Sequence, residues 1–150
     1  MINIDSSYFK PPKFLTAFLL IVDIQMLLYW FSSLVRLLWP STLPNENLYN
    51  DYYNPIMIAW NWSFFPMDMV LSITGLWSVY LLRRKNQNWR LLAVFSLALT
   101  FCAGLMAVSF WAIRLEFDLV WWGFNLAYIL GAIWFIPQLM AKENNLPIKN

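Results

Sequence analysis

Two carboxylates stand inside long apolar runs, Asp23 in LIVDIQ and Asp68 in FFPMDM. An ionisable group near the centre of a bilayer costs from about 2.5 kcal/mol upward, so each acid is a candidate for binding a ligand or carrying a proton. Polar and aromatic side chains that could share such a site are Gln25, Trp30, Trp60, Asn61, Asn125 and Tyr128. Other chemistries are thinly supplied. With no histidine, the chain has no imidazole metal ligand and no imidazole base. Its one cysteine, Cys102, forms no internal disulfide or CxxC pair and reads as inert packing. Four glycines do not make a phosphate-binding loop, and no nucleophile elbow is present. No catalytic residue, metal or cofactor is assigned, and the reading leans away from an enzyme, although two carboxylates could act as acid and base.

The elements that must hold these residues follow from composition. Of 150 residues, 61% are apolar and 12% charged, with a mean hydropathy of +0.53. Soluble domains average roughly 45–50% apolar and about 25% charged. A chain this short leaves about a third of its unfolded surface exposed after folding, so the apolar surplus calls for lipid. Four stretches reach the roughly 20 residues that a spanning helix needs: 14–39, 55–82, 89–113 and 119–140. Lipid offers no partner to a bare peptide group, so each must be helical. The fold class is therefore all-α, a polytopic four-transmembrane-helix bundle forming one membrane domain over 1–150, with loops at 40–54 and 83–88. Pro66 is expected to kink the second span or free a carbonyl. Pro137 falls near the end of the fourth.

Charge sets the expected orientation. Lys10, Lys13, Arg83, Arg84, Lys85, Arg90, Lys142 and Lys149 flank one side of the spans, against Arg36 and Arg114 on the other. Eight to two predicts that both termini and the 83–88 loop are cytoplasmic. A net charge of +2 is too small to suggest nucleic-acid binding.

Helical spacing then groups the polar residues. Asp23 lies nine residues into the first span and Asp68 fourteen from the end of the second, roughly 14 and 21 Å from the cytoplasmic edge. Those depths predict a shared cavity. Asn61, Asp68, Ser72 and Gly75 fall on one face, as do Asp118, Trp121, Asn125, Tyr128 and Ala132, while Gln25, Tyr29, Ser32 and Arg36 form a separate stripe. Ala93, Ser96, Thr100, Ala103, Gly104 and Ala107 make a small-residue stripe suited to close helix packing. The plainer reading of the acids is that they bond to Gln25, Asn61, Asn125 or a hydroxyl and merely hold the bundle together.

The segment NPIMIAWNWSFFPMDMVLSITGLWSVYL resembles a YvaD-like family of small bacterial membrane proteins, a resemblance that extends over most of the chain but implies no activity. LIVDIQ, FFPMDM and AYILGAIWFIP are also similar to the EXPERA (emopamil-binding and sigma-2-receptor-like) group of four-helix proteins. That similarity implies a cavity for a sterol-sized or amine-bearing amphiphile with acids at its base. Its isomerase chemistry is not implied, because that depends on histidine.

The first expectation is thus a multi-pass cell-membrane protein, bacterial if the resemblance holds, binding a lipid or cationic amphiphile between its helices. Asp23, Asp68, Gln25, Asn61, Asn125, Trp30, Trp60 and Tyr128 are its ligand-binding residues. The rivals are an accessory or partner-binding subunit of immunity type or of a complex, as a homodimer or with a membrane partner protein, and third a small proton-coupled transporter.

Overall fold

A computed structural model describes residues 10–41, 49 and 51–141. The flanking Lys142 and Lys149, the acid Glu46 and most of the 40–54 loop lie outside the described residues. Five helices follow one another: α1 (Leu15–Leu38), α2 (Pro55–Ser63), α3 (Phe65–Arg83), α4 (Trp89–Ile113) and α5 (Leu119–Ala141). With α2 and α3 taken together, four helical segments are long and apolar enough to cross a membrane. The described residues contain no strand.

Local sequence explains where the helices begin and end. Asn54 caps α2 by accepting from the Ile56 amide, with Pro55 at the first helical position. Asp118 accepts from the Trp121 amide ahead of α5. All four glycines are inside helices, so two C-termini turn through non-glycine residues in the left-handed region, Lys85 (φ 56°) and Leu115 (φ 56°). At each, a six-residue backbone bond closes the turn: Asn86 N–H to Leu81 C=O, and Glu116 N–H to Trp111 C=O. The Arg90 guanidinium donates to the Leu139 carbonyl at 2.6 Å and the Met140 carbonyl at 3.4 Å, serving the open end of α5.

The second span shows the disturbance expected from Pro66. It breaks at Phe64, two residues earlier, whose amide bonds back to the Asn61 and Trp62 carbonyls. Proline lacks an amide for the carbonyl four residues before it and crowds that carbonyl, so the disturbance falls in the preceding turn. Pro137 leaves α5 continuous as far as Ala141.

The small-residue stripe makes α4 the central helix, packed extensively on both α3 and α5. Ala93, Ser96, Thr100, Ala103, Gly104 and Ala107 are all buried there. Ser78 donates to the Trp89 carbonyl and Ser96 to the Leu71 carbonyl, pinning α3 to α4 at two levels. A Cβ on Gly104 would lie 2.7 Å from the Asn125 carbonyl oxygen, so α4 and α5 approach through their backbones. Cys102 faces outward from α4 instead of packing inside.

The core changes character along the bundle. At the end near residues 84–88 it is mainly aliphatic, with Leu15, Leu19, Val79, Leu97 and Leu139. Toward residues 114–118 it becomes aromatic, around Trp30, Tyr49, Trp60, Phe64 and Trp111. Outward-facing positions such as Ile21, Leu28, Phe31, Leu91 and Leu130 are apolar and exposed, as a lipid-facing surface requires.

Candidate functional site

In the aromatic half, α1 and α5 draw apart. They touch at Phe18, whose ring lies 5.4 Å from that of Phe135 and fills the space where a Gly131 side chain would project. They meet again where the Tyr29 and Trp121 rings stand 6.0 Å apart, edge to face. Among the residues of a cavity of about 270 Å³ are Gln25, Met26, Tyr29 and Trp30 of α1, and Val120, Trp121, Phe124, Asn125 and Tyr128 of α5. Trp60, Asn61, Phe64, Asp68, Ala103 and Ala107 complete its lining. Val120 and Phe124 are exposed and form a rim on α5, so the cavity reaches the lateral surface of the bundle.

Seven of the eight residues expected from sequence line this one space: Gln25, Trp30, Trp60, Asn61, Asp68, Asn125 and Tyr128. Asp23 does not join them. The helices α1 and α3 run antiparallel with Trp30 opposite Asp68, and seven residues back along α1 the partner is Gly75. A Cβ on Gly75 would overlap the Asp23 carboxylate, which is fully buried with both oxygens unpartnered among the described residues. The two acids therefore sit two helical turns apart, about 10 Å along the axis, and Asp23 is not among the residues lining this cavity.

The break at Phe64 gives Asp68 its setting. It ends α2 after Ser63, with Asn61 in its last turn, and restarts the chain as α3, with Asp68 in the first turn. The positive end of the α3 peptide dipoles is thus beside the carboxylate. Asp68 Oδ2 accepts from the Trp30 indole N–H at 2.9 Å, whereas Oδ1 has no partner. Asn61 Oδ1 accepts from the Tyr29 hydroxyl at 2.6 Å, whereas its Nδ2 has none. Asn125 donates to the Trp121 carbonyl of its own helix. Tyr29, Phe64 and Trp121 were absent from the expected set. Tyr29 falls one helical turn beyond Gln25, and that spacing was the available signal.

Aromatic packing secures the end near residues 114–118. Trp60 stacks on Phe110 at 4.1 Å and meets Trp111 edge to face at 5.7 Å. The Arg114 guanidinium pairs with Glu116 at 2.7 Å and Asp51 at 3.6 Å, lying over the Phe110 and Trp111 rings. Asp51 thereby ties the loop before α2 to the end of α4. Tyr49, buried beside Tyr52, has its phenol pushed up to about 12, chiefly by burial and then by Tyr52.

Residues 15–146 match a sequence family described as a family of unknown function, DUF5360. The chain belongs to that family. It is 44% identical over 131 residues to the protein of Bacillus subtilis (strain 168) called uncharacterized protein YvaD, across 87% of this chain and 94% of the relative. No solved structure matches.

Proposed function

We propose that the chain is a multi-pass protein of a bacterial plasma membrane that binds a lipid or cationic amphiphile in the cavity between α1 and α5, with Asp68 as its polar anchor. The observation that carries this reading is a laterally open space with an apolar rim at Val120 and Phe124 and a half-paired, buried carboxylate at depth. A molecule already dissolved in the bilayer reaches such a site without crossing the aromatic packing around Trp60 and Trp111. Gln25, Asn61 and Asn125 supply further polar contacts, and Trp30 orients the anchor. Asp23 is outside the binding set. Both termini and the 83–88 loop are cytoplasmic, as the lysines and arginines flanking the spans favour.

Photolabelling in phosphatidylcholine nanodiscs tests the reading, with dodecylamine carrying a diazirine on its chain as the probe. Adducts are expected to concentrate on 60–68 and 120–128 and to fall when unlabelled dodecylamine competes. Even labelling along outward positions such as Ile21 and Leu91 would overturn it.

A further inference from the structure

Two buried polar atoms on cavity-lining residues lack partners among the described residues, and they are of opposite kind. Asp68 Oδ1 is an acceptor and Asn61 Nδ2 a donor, each on a side chain only 4% exposed. Burying such atoms unpaired is costly, so a ligand that satisfies both gains more than one that satisfies neither. Their sister atoms are already occupied by Trp30 and Tyr29, which fixes the direction in which the free ones are left to bond. The residues are seven apart across the Phe64 break, two helical turns or about 10 Å along the axis. Asn61 belongs to α2 and lies nearer the 114–118 end, as do the rim residues Val120 and Phe124 at the start of α5. Asp68 and Tyr128 are deeper.

We infer that the occupant enters head first and carries an N–H-bearing ammonium for Asp68, an acceptor oxygen several bonds behind it for Asn61, and an alkyl tail leaving past Val120 and Phe124. This rests on the amphiphile reading above and narrows it. A quaternary ammonium has charge but no N–H to donate, and a plain alkylamine leaves the Asn61 amide unsatisfied.

Equilibrium binding to the full chain in phosphatidylcholine nanodiscs decides the matter with three probes: N-(4-aminobutyl)dodecanamide, its N-trimethyl analogue and hexadecylamine. The amide-bearing primary amine is expected to bind about tenfold more tightly than either comparator. Asn61→Leu should erase its advantage over hexadecylamine, and Asp68→Asn its advantage over the trimethyl analogue. Equal binding of all three probes by the wild-type chain would overturn this inference while leaving an amphiphile site standing. Binding of none would overturn the amphiphile reading itself. Because the probes are compared on the unaltered chain, a variant that fails to fold does not affect the outcome.

Discussion

Asp23 and Asp68 are the same residue type in comparably apolar runs, yet their surroundings set them to different tasks. Asp68 has an indole donor, a helix N-terminus beside it and a cavity in front. Asp23 has the Gly75 backbone and no partner. Replacing an unpaired buried carboxyl by an apolar group of similar size removes a desolvation penalty. Asp23→Leu is therefore expected to raise unfolding stability by about 1 kcal/mol or more, with amphiphile binding unchanged; lost binding would return Asp23 to the site. Trp30→Phe takes the donor from Asp68 and should cost about 1–3 kcal/mol, read from thermal unfolding in detergent. Tyr49 supplies a pH dependence. Its acid form is favoured in the fold, so stability is fully present below the unfolded tyrosine value of about 10 and declines as pH rises toward about 12. Ultraviolet titration of the folded protein should show Tyr49 ionising late, and Tyr49→Phe should shrink the late phase by about one tyrosine of the seven.

Among the elements, the break between α2 and α3 does most to shape the site. With Pro66→Ala the chain regains an amide for the Trp62 carbonyl, and a continuous helix takes the helix N-terminus away from Asp68. Helicity is expected to hold or rise while amphiphile binding falls at least severalfold; unchanged binding would show that the break is incidental. The helix ends give a second expectation. Lys85 and Leu115 hold a left-handed conformation that costs a side-chain-bearing residue roughly 1 kcal/mol, so Leu115→Gly should stabilise the protein by about that amount. Helix extents were readable because uninterrupted apolar runs leave the backbone no alternative. The Asn61–Asp68 face was readable for a similar reason, being a spacing within one segment. What could not be read was register between helices. Gly75 admits Asp23, and Trp30 reaches Asp68, only once α1 and α3 are packed, so depth along each span could not reveal that the acids lie two turns apart. The position of the break shows the same limit: proline announced a disturbance without saying that Phe64 would absorb it.

For the whole molecule, α4 is a small-residue spine against which α3 and α5 pack closely, while α1 packs on α3 and lines a cavity together with α5. In the proposed reading that cavity opens sideways into the bilayer at the aromatic half. The central claim is that this opening is a binding site anchored at Asp68. Native mass spectrometry of the full chain released from gently extracted membranes tests it most directly. The account predicts a retained amphiphile whose mass fits an amine with an acceptor oxygen, kept by Asp23→Leu and lost from a folded Asp68→Asn variant. A bare chain, a protein subunit in place of an amphiphile, or the same molecule held equally by Asp68→Asn would contradict it.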